Sequence, residues 1–289
     1  MSPRTEHAHY DAVVFAGGGC RCFWQAGFWA EAAPALDLRP SVVCGVSAGS
    51  AFACAIFGGV IEQVVEEFMS RVSANERNFY PENAWRGGRC FPHESIYRDT
   101  ILSGLDRDAL QRLKAGADVR VTVARPPAWL GDRTGFAVAA LAWQGDRITK
   151  PIHARWGRRL GFTDEAVSVR SCETPEEVAD LILQSSCSPP ATPLYRRGGR
   201  VVIDGGLVDN APVHAVQPAR RALVLLTWHR PEAELPRVAG RRYVQPSRPI
   251  PIDKWDYTSR ERVQQTYDLG RRDGEAFARR AQQESSQAA

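Results

Sequence analysis

The sequence predicts an α/β fold, three-layer α/β/α with a mainly parallel central sheet, and three observations carry the prediction. Two short apolar runs, Ala12 to Ala16 and Val42-Val43-Cys44, each stop at a glycine-bearing turn and pass into a helical pattern. Three more β-rich runs, Val119 to Val123, Val201-Val202-Ile203 and Ala222 to Thr227, are separated by helical stretches, the order that gives parallel strands covered on both faces. The 289 residues are 44% apolar and 24% charged, which suffices for a large core and excludes disorder, collagen and coiled coil.

Taken in order, Ala12 to Ala16 reads as the first strand and ends at Gly17-Gly18-Gly19. Cys22 to Ala33 then carries Phe23, Ala26, Gly27 and Ala30 at helical spacing and stops before Pro34. Val42 to Cys44 enters Gly45-Val46-Ser47-Ala48-Gly49, and Ser50 to Phe57 follows as a helix of small residues. From Gly59 to Arg112 the pattern is helical, interrupted by the Gly-, Pro- and Arg-rich stretch Tyr80 to Pro92. Val119 to Val123 alternates like a strand, and Phe136 to Trp143 is a second candidate strand. Thr174-Pro175-Glu176-Glu177 has an N-cap threonine, proline at the first helical position and a glutamate placed for a capping box, starting a helix that runs to about Gln184. Ser259 to Arg280 reads as a closing amphipathic helix. No repeat and no long linker divides the chain, so residues 1–289 are expected to form one domain, with its motifs in 10–57 and 180–229, a variable middle region at 58–170 and a C-terminal helix over about 259–280.

Lys plus Arg number 37 against 33 for Asp plus Glu, a net charge of +4 that gives no support to a nucleic-acid partner. The seven cysteines, at 20, 22, 44, 54, 90, 172 and 187, are odd in number and contain no C-x-x-C pair. They fit neither a disulfide framework nor a zinc knuckle, and a reduced, cytoplasmic setting is expected. Met1 to Tyr10 lacks a signal-peptide pattern, and the longest apolar run, Phe136 to Trp143, is far short of the ~20 residues that span a bilayer. Any membrane contact is therefore expected to be peripheral.

Gly45 to Gly49 matches G-x-S-x-G, in which a serine sits on a sharp turn between a buried strand and a helix, with glycines where strand and helix come close. Only 46 residues precede Ser47, too few for the usual α/β-hydrolase arrangement of several strands before the elbow. The upstream Gly17-Gly18-Gly19-Cys20-Arg21 fails the Walker pattern, and it fails the dinucleotide pattern at Cys22. Asp37 does lie about 20 residues on, which keeps a nucleotide-binding regulatory protein as an alternative of a different class. Read as an oxyanion loop, the same glycines expose backbone donors at a helix start, where negative charge develops on a substrate carbonyl. A cation in the first helical turn costs about 0.3–1 kcal/mol, so Arg21 is expected to answer to an acidic or polar neighbour. Asp204-Gly205-Gly206 follows an apolar strand; alone it is a turn, and its weight comes from its company.

Together these blocks resemble the patatin-like phospholipases. That family carries a glycine-rich oxyanion loop with a basic residue, then G-x-S-x-G, then a distant D-G-G or D-G-A. Here they stand as Gly17 to Cys22, Gly45 to Gly49, and Asp204-Gly205-Gly206 continued by Leu207-Val208-Asp209-Asn210-Ala211-Pro212. Ser185-Ser186-Cys187-Ser188-Pro189 is similar to the small-residue segment that family members place before the aspartate strand. The resemblance covers about a third of the chain. It implies a lipid acyl hydrolase that acts on phospholipids, related acyl lipids or small esters through a Ser–Asp dyad and an acyl-enzyme, without metal or cofactor; with the cysteine usage, a cytoplasmic enzyme is expected, with any membrane contact peripheral. Ser47 would be the nucleophile, Asp204 the general base, and Gly17, Gly18, Gly19 and Cys20 the oxyanion hole. Arg21, Gly45, Gly49, Gly205 and Gly206 would support them. Cys22 departs from the family, which has glycine there; its side chain would either narrow the acyl site or pack into the helix. An acyltransferase or thioesterase using the same dyad is the alternative within enzymes, and a catalytically silent lipid-binding module is a third reading. The oligomeric state leaves no mark in the sequence. The walls that choose the substrate are expected from residues 58–170.

Six histidines, at 7, 9, 93, 153, 214 and 229, offer a triad reading, with His214 and His229 best placed, and Asp209 competes with Asp204 as base. Trp129-Leu130 beside Pro126-Pro127, and Trp156 among Arg155, Arg158 and Arg159, read first as core tryptophans with solvated arginines, with an interfacial lipid patch as the alternative.

Overall fold

In the computed structural model, residues 10–85, 87–131, 137–138, 152–153 and 156–288 are described. His7, His9, Arg155 and most of the candidate strand Phe136 to Trp143 lie outside these residues. The strands are β1 (Ala12–Phe15), β2 (Val42–Val46), β3 (Asp118–Arg125), β4 (Thr163–Ser168), β5 (Tyr195–Arg197), β6 (Arg200–Asp204), β7 (Ala222–Leu225) and β8 (Arg241–Val244). The principal helices are α1 (Phe23–Leu36), α2 (Ala48–Phe57), α3 (Ile61–Ser73), α4 (His93–Gly104), α5 (Arg107–Ala115), α6 (Pro175–Ser185) and α7 (Arg260–Ala288). Hydrogen bonding joins the strands in the order β5-β6-β3-β2-β1-β7-β8, with β4 also on β3. The pairs β1–β2, β1–β7, β2–β3 and β7–β8 are parallel, whereas β3–β4, β3–β6 and β5–β6 are antiparallel. The fold is thus a mixed α/β sheet, mostly parallel and flanked by helices.

Alternation along the strands divides the core. Val13, Phe15, Val43, Val121 and Val123 join the helices in the larger apolar cluster, while Ala12, Val14, Val42 and Cys44 point the other way. Among the described residues that second face is covered by the segment from Ala211 to Val216, by Tyr243 and by the partly buried Ile152 and Leu235. Helix α7 docks on α1 through the Trp24 Nε1–Asp273 hydrogen bond (2.7 Å) and the Phe28–Phe277 ring contact.

Several expectations hold and some shift. Helix α1 continues through Pro34 to Leu36, because a proline in the last turn forfeits one hydrogen bond without ending the helix; Asp37, at φ 47°, ends it. Thr174 Oγ1 accepts from the Glu177 amide at 3.2 Å, and Glu177 Oε2 reaches back to the Glu173 amide at 2.8 Å, one residue earlier than in a standard capping box. Strands β4, β5 and β8 were not expected from the sequence. Trp129 is 80% exposed and Trp156 42%, so neither is a core tryptophan. All seven cysteines are free thiols. No described helix is long and apolar enough to cross a membrane.

Candidate active site

Strand β3 brings the two chain-distant motifs together. Strand β2 runs along one edge of β3 and ends with Val46 opposite Thr122; β6 pairs with Ala124 and Val123 and ends with Asp204 opposite Val123. Strand β4 occupies the other edge of β3 from Arg120 to Arg125, so β6 must continue the edge that β2 leaves. The strands meet nearly head to head. The residue after β2, Ser47, and the last residue of β6, Asp204, therefore arrive at the same point. Asp204 reaches it on an antiparallel strand, whereas the sequence suggested the C-terminal end of a parallel one.

Ser47 sits at φ 52° and ψ −131°, a backbone conformation that costs a non-glycine residue about 1–3 kcal/mol. The elbow is held there by contact. A Cβ on Gly45 would lie 2.4 Å from Ser50 Cα, and one on Gly49 would lie 2.4 Å from the Phe15 carbonyl oxygen, so strand and helix approach as closely as the motif requires. The Ser47 amide donates to Ser185 Oγ (2.8 Å), and that hydroxyl donates to the Thr122 carbonyl (2.6 Å). Ser185, at the end of α6, thereby ties the elbow to β3.

The Asp204 carboxylate accepts hydrogen bonds from the Gly206 amide (2.8 Å) and from Ser188 Oγ (3.5 Å), and the Ser47 side chain also acts to lower its pKa. Desolvation is the largest influence on it and raises its pKa above the ordinary carboxylate value, against the lowering effect of these donors and of the Lys254 ammonium. Burial pushes the nearby Cys20, Cys22 and Cys187 thiols up, which keeps them protonated and poor competitors as nucleophiles.

The glycine loop is braced from both sides. The Gly17 carbonyl accepts from Asn210 Nδ2 (3.1 Å) and Thr227 Oγ1 (2.7 Å), while the Gly17 amide donates to the Asn210 carbonyl (3.2 Å). The Cys20 amide donates to the Lys254 carbonyl (3.1 Å). Of the four expected oxyanion donors, Gly17 and Cys20 are thus already engaged, and Gly18 and Gly19 have no acceptor among the described residues. Gly19 adopts φ +57°, and a Cβ there would lie 2.1 Å from the Lys254 oxygen, so both its conformation and its neighbour demand glycine. Arg21 does answer to an acid: it contacts Asp253 Oδ2 at 3.3 Å, donates to the Ile252 carbonyl and lies 3.8 Å over the Trp228 ring. Cys22 is buried with its thiol toward the Ala16 carbonyl, packed beneath the loop.

The other candidates lie elsewhere. Asp209 accepts from the Ala211 amide and pairs with His153 Nδ1 at 2.9 Å, while His214 Nε2 lies 2.6 Å from Asp164. His229 bonds the Pro246 carbonyl and His93 the Trp255 carbonyl. None of the described histidines contacts Ser47 or Asp204. Sequence reasoning missed Ser185, Ser188, Asn210 and Thr227 as the braces of the site. It also missed the strap from Ile252 to Tyr257, which crosses the glycine loop. Three of these, Ser185, Ser188 and Asn210, lie inside the motif segments named above, but their contacts are tertiary.

The family profile described as patatin-like phospholipase matches residues 13–216. The chain belongs to the patatin-like phospholipase family. This patatin-like chain therefore falls among lipid acyl hydrolases, and its matched region holds the elbow, the glycine loop and the Asp204 turn, but not the strap. No curated protein matches the chain at a significant level. Among solved structures it is similar to VipD from Legionella pneumophila, at 11% identity over 94% of this chain and 67% of that one, with a TM-score of 0.46. The family assignment rests on the sequence match.

Proposed function

We propose that this patatin-like protein hydrolyses carboxylic esters of acyl lipids through a Ser47–Asp204 dyad. The observation that carries the reading is the convergence of Ser47 and Asp204 at the point where β2 stops and β6 arrives, with the Ser47 side chain acting on the buried carboxylate. Ser47 Oγ attacks the acyl carbonyl carbon as Asp204 takes its proton, giving a tetrahedral oxyanion. The Gly18 and Gly19 amides are the donors available to that oxyanion, and each such donor is typically worth about 3–4 kcal/mol. Collapse breaks the ester C–O bond, and Asp204 returns the proton to the departing alcohol. Water then attacks the acyl-enzyme, giving its proton to Asp204, and the carboxylic acid leaves as Ser47 is reprotonated. A carboxylate is a weak base in water, and the desolvation of Asp204 makes it a stronger one.

Gly45 and Gly49 permit the elbow, Gly205 and Gly206 the close turn after Asp204, and Arg21 anchors the strap to the loop. The seven unpaired cysteines support a reducing, cytoplasmic setting. The test is turnover of a soluble p-nitrophenyl ester by purified Ser47→Ala and Asp204→Asn variants that remain folded by circular dichroism. Both should lose nearly all turnover, and wild-type rates in either would reject the dyad.

A further inference from the structure

Residues 76–92, between α3 and α4, make an excursion that stands on the rim of the site. At its base two asparagines hold the strap residue Tyr257, whose carbonyl accepts from Asn75 Nδ2 (2.8 Å) and whose amide donates to Asn78 Oδ1 (2.9 Å). The strap in turn crosses the glycine loop, where the Cys20 amide donates to the Lys254 carbonyl. On the other side Arg89 donates to the carbonyls of Pro190 (3.4 Å) and Ala191 (3.3 Å). Those residues belong to the loop that begins at Ser188, whose hydroxyl reaches Asp204. The excursion is thus tied both to the cover of the oxyanion loop and to the segment beside the base.

Its tip is apolar and faces water. The Tyr80 amide donates to the Cys90 carbonyl (2.7 Å) and the Gly88 amide to the Asn83 carbonyl (2.9 Å), which folds the chain back on itself and puts Trp85 at the tip. Trp85 is 92% exposed, and no residue of its helical turn, Glu82–Trp85, is buried. Phe79, Pro81 and Ala84 near it, and Pro190 and Leu194 across the Arg89 contact, are exposed as well. A tryptophan has an apolar body and a polar N–H, which suits the boundary between water and lipid.

The charge points the same way. Residues 76–92 and 185–200 together hold six arginines against two glutamates, an excess equal to the +4 of the whole chain. Arg77 pairs with Glu82, and Arg197 lies 3.9 Å from Glu165. Among the described residues, Arg89 and Arg200 instead donate to backbone carbonyls, which leave their charge uncancelled. An exposed aromatic tip on an arginine-rich rim complements an anionic lipid surface.

We propose that Trp85 and the surface around it dock the protein on anionic phospholipid bilayers. This rests on the acyl-lipid reading above, because a substrate held in a bilayer reaches Ser47 only where the rim of the site meets the membrane. The exposed Trp129 and Trp156, the interfacial patch raised by the sequence, form the competing surface.

The experiment is co-sedimentation of the purified full chain with vesicles of phosphatidylcholine alone or mixed with phosphatidylglycerol, at low and high salt, repeated with Trp85→Ala, Arg89→Gln and Trp129→Ala. The same proteins are assayed on soluble p-nitrophenyl butyrate. Wild type should bind the anionic vesicles at least about 10-fold more tightly than the neutral ones and be released by salt. Trp85→Ala should weaken binding at least about 10-fold, through lost apolar burial. Arg89→Gln should weaken it about 5-fold, the worth of one basic residue at such a surface, and Trp129→Ala should bind as wild type does. Folded Trp85→Ala and Arg89→Gln variants that bind like wild type overturn the assignment, as does a loss confined to Trp129→Ala. A wild type that ignores both vesicles yet turns over the soluble ester overturns the docking proposal and leaves the hydrolase reading intact. Binding that depends on Trp85, with no ester turned over and Ser47 unlabelled by a fluorophosphonate, supports the surface and overturns the hydrolase reading.

Discussion

Ser185→Ala tests whether the elbow is held by the contacts described. Ser185 is fully buried, and its hydroxyl joins two backbone groups, accepting from the Ser47 amide at 2.8 Å and donating to the Thr122 carbonyl at 2.6 Å. Alanine fits the space but leaves both groups without a partner. An orphaned buried donor or acceptor costs about 1–3 kcal/mol. Thr122 is fully buried, whereas Ser47 is half-buried and its amide has some access to water, so the total should come to about 2–4 kcal/mol. In a chain of this size that corresponds to a fall of roughly 5–10 °C in Tm. The strained Ser47 backbone loses its tether at the same time, and misplacing a reacting group by about 1 Å can cost ~100-fold in rate, so kcat should fall by about 10- to 100-fold with a smaller change in KM. Thermal melting followed by tryptophan fluorescence, together with steady-state ester kinetics, measures both. A variant that melts within about 1 °C of wild type and keeps its kcat would show that Ser185 does not hold the elbow.

Two further predictions concern buried polar groups. Because desolvation raises the Asp204 pKa in the folded state, its negative charge opposes folding; the penalty is absent when both states are protonated, grows as pH rises through the ordinary carboxylate value and is complete above the raised folded value. Asp204→Asn should therefore melt higher than wild type at pH 7, with the gain shrinking toward pH 3–4, and a lower Tm at pH 7 would contradict this. By the same shift, wild-type kcat/KM should rise with pH through a midpoint above that of an ordinary aspartate. Thr100, 3% exposed on α4, has a hydroxyl with no partner among the described residues. Thr100→Val should raise stability by about 1 kcal/mol in urea denaturation, and a loss of similar size would mean that the hydroxyl is satisfied after all.

What the sequence conveyed depended on whether the determining contacts were local. The elbow and both glycine turns were legible because close approach of strand and helix demands glycine at fixed offsets from Ser47. The Thr174 cap was legible because its partners lie within four residues. Strands β4, β5 and β8 were not, since they are short or polar edge segments: Thr163–Ser168 buries little beyond Val167, and Arg241–Val244 little beyond Tyr243. The position of Asp204 was legible as the end of an apolar run, but its antiparallel approach was not, because strand direction is set by the chain path through residues 126–199. The strap from Ile252 to Tyr257 carries no periodicity. It acts mainly through backbone carbonyls more than 200 positions from the loop it crosses, so its side chains announce nothing. Cys22 shows a milder case, in which the identity was plain and only packing decided between the acyl site and the layer beneath the loop.

The mechanism stands or falls on Ser47 as the nucleophile and Asp204 as its base. Labelling with a fluorophosphonate probe, with the modified peptide located by mass spectrometry, tests it most directly. One covalent adduct is expected on Ser47, none in Ser47→Ala, and labelling slowed by at least about 100-fold in Asp204→Asn, within the range of general-base contributions. An adduct on another residue, or an Asp204→Asn variant that labels at the wild-type rate, would contradict it.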